Sequence, residues 1–233
     1  MSSIDLYLNK LTEEDISCFK EALINIIPIV EKYKDQKDIE IEFRLGYLEN
    51  DRFNSNIPEL FFKKIFDKLN NSTMFHNEKR EMLDTFNNGL RRTKDLVKNR
   101  STVIKKEKIA SFDFSLLNTP FDIRVSISRE IKMSIKDFKE TSNSYRRHKN
   151  RTSFSYKSWS FDLTEISYEE NSVKYNLFEV ELEIENLKSD INYIIHSSLL
   201  KVRDMALFCE DEGPTSFKLM KKYINKSNND ESE

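Results

Sequence analysis

Phe178-Glu179-Val180-Glu181-Leu182-Glu183-Ile184-Glu185 alternates apolar and acidic side chains without a break. Successive side chains of a strand point to opposite faces, so this stretch is a strand with Glu179, Glu181, Glu183 and Glu185 in one row. Phe178, Val180, Leu182 and Ile184 form the opposite row. Far upstream, residues 38–46 repeat the pattern, with Glu40, Glu42 and Arg44 on one face and Ile39, Ile41, Phe43 and Leu45 on the other. Gly46 marks the expected end of that strand. A half-buried strand with its Glu side in water would explain either row alone. Two such rows are harder to explain, because Glu suits strands poorly and like charges along one face repel.

Strand-like stretches fill the interval, at about 80–87, 90–97, 101–109, 121–131, 145–157, 159–167 and 173–185. Consecutive strands without intervening helices imply an antiparallel sheet or barrel. Some of these strands carry the complementary charge. Arg147, Lys149 and Arg151 share a face, Arg124 lies with Ser126 and Ser128, and Asp162 shares a face with Thr164, placed to orient a cation. The run 103–108 adds lysines whose facing the pattern leaves open. If the sheet closes with its polar faces inward, carboxylates can gather a hard divalent cation while Arg and Lys hold phosphate oxygens. The apolar faces then need cover. Amphipathic helices are available at 12–34, capped by Thr12 and interrupted by Pro28, at 57–70, and at 189–212, where Ser189-Asp190 caps and Gly213-Pro214 stops the helix.

Composition narrows the function classes. Among 233 residues, 33% are charged and 38% hydrophobic, yet 17 Phe and 9 Tyr are too many for a disordered chain. A net charge of -2 gives no global field that would draw the protein onto nucleic acid, so anion binding must be local. With only Gly46, Gly89 and Gly213 available, neither a P-loop nor a dinucleotide fingerprint can be assembled. His76, His148 and His196 have no metal-ligand spacing, and no Ser-His or Cys-His nucleophile is recognisable, which disfavours zinc and covalent hydrolysis. Cys18 and Cys209 lie far apart, no secretory signal opens the chain and no apolar run could span a bilayer, so a soluble intracellular protein with reduced thiols is expected.

With these motifs in place, the chain resembles the triphosphate tunnel metalloenzymes, specifically the RNA triphosphatase branch of fungal, protozoan and large DNA virus mRNA capping systems. The two glutamate strands at 39–44 and 178–183 carry the resemblance, and the segments at 121–126, 147–151 and 161–164 follow in the family's order. Composition and size make it most similar to the amino-terminal triphosphatase domain of giant-virus capping enzymes.

The resemblance implies a mainly β (α+β) fold, a closed antiparallel eight-stranded barrel with a polar interior, flanked by amphipathic helices. It implies one tunnel domain over 1–226, with a helical segment at 1–37, tunnel strands at 38–185 and a tail at 227–233 leading toward a guanylyltransferase. Glu40, Glu42 and Glu183 would hold Mg²⁺ or Mn²⁺, with Glu179 and Glu181 bracing cations or positioning water. Arg124, Arg147, Lys149 and Arg151 would grip the phosphates, supported by Asp162 and Thr164, with Arg44 on the floor. The substrate would be 5′-triphosphate RNA, with NTP hydrolysis in Mn²⁺ as a side activity. Fusion in cis to guanylyltransferase and cap methyltransferase domains, and a virion or viral-factory location, are further implications.

Three other readings share the residues. A tripolyphosphate or NTP hydrolase could use the same tunnel. A noncatalytic RNA-binding barrel would hold a strand with Arg147, Lys149, Arg151, Tyr145, Phe154 and Tyr156. A purely structural interaction domain would bind no metal.

Overall fold

The computed structural model describes residues 13–116, 119–142, 144–207 and 217–225. Helix α1 (Glu13–Tyr33) precedes strands β1 (Ile39–Glu49) and β2 (Arg52–Asn54), followed by helix α2 (Glu59–Asn70). Seven strands follow: β3 (His76–Asn87), β4 (Leu90–Asp95), β5 (Arg100–Leu116), β6 (Asp122–Met133), β7 (Tyr145–Tyr156), β8 (Trp159–Glu170) and β9 (Val173–Ile184). Helix α3 (Ile191–Leu207) and strand β10 (Phe217–Ile224) complete the order.

Pairing runs β5-β4-β3-β7-β8-β9-β1, and β6 joins β1 back to β5, so eight antiparallel strands close a ring. Closure removes every sheet edge from these eight. β2 adds to β1 and β10 to β5 outside the ring.

The register decides which way each row points, because cross-strand partners share a face. Glu42 pairs with Ser126 on one side and Glu183 on the other, and Arg44 pairs with Arg124 and Glu181. Thr164 links Arg151 of β7 to Glu179 of β9. All these polar rows face inward.

The opposite faces make the hydrophobic core, which lies outside the barrel wall. Ile41, Phe43, Leu45, Phe112, Phe114, Val125, Val180 and Leu182 are buried there with Leu23, Ile26 and Ile27 of α1, Phe62 and Ile65 of α2, and Ile195, Leu199 and Val202 of α3. At about 25 cal/mol per Å² of apolar area, this external layer supplies the main drive for folding.

Several element limits differ from the sequence expectation. α1 continues through Pro28, where packing of Ile26, Ile27 and Val30 outweighs the lost backbone hydrogen bond. β1 does not stop at Gly46. It runs on to Glu49, and a methyl group at Gly46 would come within 2.2 Å of the Asn54 carbonyl oxygen, so the glycine lets β2 fold tightly onto β1. β5 extends past 109 through a bulge between Lys108 and Ala110, and β10 occupies a stretch between the expected helix and tail to which the sequence assigned no element. The Asp190 side chain accepts from the Tyr193 amide at 2.9 Å, capping α3 as expected. Thr12, Gly213, Pro214 and the tail from Lys226 lie outside the described residues. No helix among the described residues is long and apolar enough to cross a membrane, which is silent about β-barrels.

Candidate active site in the barrel interior

The interior encloses a cavity of about 130 Å³ with an entirely charged lining. Glu40, Glu42, Glu130, Glu179, Glu181 and Glu183 face Arg44, Arg91, Lys106, Arg147, Lys149 and Arg151 across it. Six carboxylates against six cations leave the cavity formally neutral.

Arg151 of β7 is held from three sides. Its Nε donates to Thr164 Oγ1 at 2.9 Å, and its terminal nitrogens donate to Asp162 Oδ2 at 2.6 Å and Glu181 Oε2 at 3.0 Å. Glu181 also pairs with Arg44 Nε at 2.8 Å, and Arg44 reaches Glu42 at 3.0 Å. Burial alone would raise the Glu181 carboxyl, but Arg44 and Arg151 outweigh it and hold the group down at about 2. Burial opposes the charge of Arg44 and Arg151 too, and in both the neighbouring carboxylates win and raise the pKa. Glu181 is therefore a fixed anion that aims two guanidinium groups, and it is too weak a base to take a proton near neutrality.

Lys149 is the most buried cation, paired with Asp84 at 2.8 Å. Its burial lowers its pKa, and Asp84 offsets only part of that cost. Asp84 also accepts from Thr93 Oγ1 at 2.6 Å. Arg147 lies 3.9 Å from Asp84 and over the Phe86 ring at 4.7 Å.

The glutamate side is arranged differently. Lys106 bridges Glu40 at 2.9 Å and Glu42 at 3.3 Å, and Ser128 donates to Glu40. Ser55 donates to Glu179 at 2.7 Å. Among the described residues no ion pair or hydrogen bond reaches the Glu183 side chain. Burial first, then Glu40 and Asp162, push its carboxyl up to about 8.

The twelve residues named from the sequence all face the interior, and eleven converge on this network. Arg124 stands apart: both arms of its guanidinium bond Asp113, at 2.7 and 2.8 Å, and it stacks on Phe53 rather than lining the cavity. Glu185 lies beyond the end of β9 and is exposed, so the strand register sets Glu183 opposite Glu42. Lys106 resolves the open facing of the 103–108 run. The sequence reading missed Asp84, Arg91, Asp113 and Glu130, which lie on strands with charge on both faces or beyond the β5 bulge. Of the aromatics Tyr145, Phe154 and Tyr156, Phe154 is fully buried in the outer layer against Phe66 and Phe75, which removes it as a stacking surface.

A known family matches the sequence that builds this barrel. The sequence profile described as "mRNA capping enzyme, beta chain" fits residues 52–198. The chain belongs to this family. Among solved structures, the Pct1 RNA triphosphatase of S. pombe superposes with a TM-score of 0.69 at 18% identity, covering 80% of this chain and 92% of that one. Its complex with the Spt5 CTD gives 0.70 at 18% identity, with coverages of 86% and 95%. The RNA triphosphatase domain of the trifunctional mimivirus mRNA capping enzyme gives 0.54 at 16% identity, with coverages of 80% and 95%. At these identities the structural likeness establishes the fold. No curated protein sequence matches the chain. The family match opens after β1, so the Glu40 and Glu42 row joins the site through strand pairing with β9.

Proposed function

We propose that this barrel hydrolyses the γ-phosphate of 5′-triphosphate RNA, leaving a 5′-diphosphate end, with the interior rows as its catalytic machinery. One observation carries the reading: Glu42 of β1 is paired to Glu183 of β9, across the interior cavity from Arg147, Lys149 and Arg151. Mixed carboxylates and cations around a small polar cavity are the parts that phosphoryl transfer needs, since its catalysis is mostly positioning and charge stabilisation.

The family is generally metal-dependent, and the donor chemistry here suits a hard divalent cation. A balanced cavity that admits a triphosphate acquires net negative charge, and Glu183, raised to about 8 by burial and its acidic neighbours, marks where positive charge is short. Glu40, Glu42 and Glu183 would hold the ion, Mg²⁺ or Mn²⁺. Among the described residues no three carboxylate, His or Cys side chains are gathered as a ready-made chelate, and Lys106 bridges Glu40 and Glu42 instead. Exchange of that lysine for the ion would free it to face phosphate. The ion supplies neutralisation of the γ-phosphoryl oxygens.

The chain's own residues do the rest. Lys149, Arg147 and Arg151 bind the β- and γ-phosphate oxygens, and Asp84, Asp162, Thr164 and Glu181 keep those cations aimed. Glu179 lines the cavity with no cation within ion-pair distance among the described residues, and so is the carboxylate available to orient the attacking water. Water attacks phosphorus in line, the bond to the β-bridging oxygen breaks, and inorganic phosphate leaves.

RNA bearing a γ-labelled 5′-triphosphate, incubated with Mg²⁺, Mn²⁺ or EDTA beside Glu42→Ala, tests the reading. The expected result is metal-dependent release of γ-phosphate alone. Loss in the variant should exceed the roughly hundredfold that removing an outer-shell partner costs. No release with either metal removes the enzyme claim.

A further inference from the structure

Four aromatic side chains cross the inner face of the barrel at one end. Phe86 pairs with Tyr145 across β3 and β7, and Tyr168 pairs with Tyr175 across β8 and β9. Their rings run on as a row: Phe86 to Tyr145 at 5.9 Å, Tyr145 to Tyr168 at 5.6 Å, and Tyr168 stacked on Tyr175 at 5.0 Å with an interplanar angle of 14°. Tyr145 lies two residues from Arg147 on the same face, about 7 Å along the strand. Tyr168 continues the inward row Asp162, Thr164, Ile166, and Tyr175 continues Glu181, Glu179, Leu177.

The facing is the informative part. Everywhere else, aromatic rings of the wall strands pack outward under the helices, as Phe43, Phe112, Phe154 and Phe161 do. Here the rings lie on the polar inner side, yet Tyr145 and Tyr175 remain 43% and 40% exposed. The row begins where the cavity's outermost cations end. Phe86 pairs with Arg91 and carries Arg147 over its ring, and both arginines line the cavity. The row also sits at the hairpin ends, beside the β3–β4 turn and the β8–β9 turn.

We infer that this row is a stacking platform for the nucleobase that carries the triphosphate, given the triphosphatase reading above. A triphosphate that enters γ-end first, toward Lys149 and Arg151, leaves its nucleoside outermost, at Arg91 and Arg147 and then the exposed rings. Stacking needs only a π face, so the platform accepts any base and favours nucleoside-linked over inorganic triphosphate. It also offers an orientation cue: the opposite end has no such row among the described residues.

The test compares Tyr145→Ala and Tyr175→Ala, each with its Phe counterpart, on two substrates: 5′-triphosphate RNA and tripolyphosphate. The RNA KM should rise roughly tenfold per alanine, the size of one lost base stack, with kcat little changed. The tripolyphosphate KM should hold, which also shows that the tunnel is intact, and Phe should restore the RNA value. An unchanged RNA KM overturns the platform, as does an equal loss on both substrates, which would make the row part of the wall. Anisotropy of labelled 5′-triphosphate RNA measures the same difference as a Kd without turnover. If the wild type hydrolyses nothing but the alanines still weaken RNA binding, the catalytic reading falls and the platform stands; if binding is indifferent to them, the platform falls as well.

Discussion

The barrel has two kinds of wall. β1, β6, β8, β9 and the second half of β5 are backed by helices, and their outward residues, such as Phe43, Val125, Leu163 and Leu182, are almost wholly buried. Among the described residues, β3, β4 and the start of β7 have no helix behind them. From His76 to Glu81 nearly every residue of β3 is exposed, and the outward Arg92 and Arg146 pair with Glu140 of the loop after β6, where Arg92 also lies over the Phe138 ring. The carboxylates Glu40, Glu42, Glu179, Glu181, Glu183 and Asp162 all stand on the backed wall. Arg91, Arg147 and Lys149, with Asp84, stand on the unbacked strands. A row of like charges must be held against its own repulsion, and the wall clamped between core and cavity is where it is held.

This difference also sorts what the sequence reveals. On the backed wall one face must be apolar and the other polar, so β1 and β9 can be read, facing included, from two short stretches. On β3 both faces meet water or charge, alternation vanishes, and Asp84 looks like any surface aspartate until strand pairing sets it opposite Arg147 and within 2.8 Å of Lys149. β5 fails for another reason. Its bulge moves the inward set from Lys106 and Lys108 to Ser111 and Asp113, so no single parity describes the strand. β2 and β10 were missed because each adds to one strand only and carries little pattern of its own. Arg124, legible as an interior cation, turned out to be tied to Asp113, a residue beyond that bulge.

The comparison is tested most severely at the outer layer. Leu182 is fully buried, outward, between the inward Glu181 and Glu183. Leu182→Ala should cost about 2–5 kcal/mol, or a Tm lower by roughly 4 to 20 °C in calorimetry. It should also reduce triphosphatase activity, because the glutamate row loses its backing. A Tm within a degree of wild type would mean that the helices do not clamp this wall.

A smaller effect should follow pH. Glu183 ionises in the fold near 8, against 4.5 for an ordinary glutamate, so between those values the folded chain holds a proton that the unfolded chain has lost. The stability this contributes is complete below about 4.5 and disappears as pH rises toward 8. Without divalent cation, Tm should therefore fall from pH 5 to pH 8 more steeply in the wild type than in Glu183→Gln. Added Mg²⁺ or Mn²⁺ should raise the wild-type Tm more at pH 8 than at pH 5, since the ion replaces the proton. Parallel pH profiles for the two proteins would show that the charge excess is relieved some other way.

The smallest effect is expected at Lys79. It lies on β3 on the outward, odd-numbered face with Glu81 and Leu83, it is exposed, and among the described residues no helix stands behind it. The same parity step that buries Leu182 on β9 leaves Lys79 in water. Lys79→Ala should therefore move stability by no more than about 0.5 kcal/mol and leave the RNA KM unchanged, because the side chain neither packs nor faces the cavity. A clear loss of stability would mean that something covers this wall in the folded protein. A raised RNA KM with Tm unchanged, and with the effect fading as salt rises, would instead assign the outer face of β3 to the RNA backbone. A null result in both readouts leaves the asymmetry as drawn: one wall that the fold must bury, and one whose outward residues are free to vary while its inward residues line the cavity.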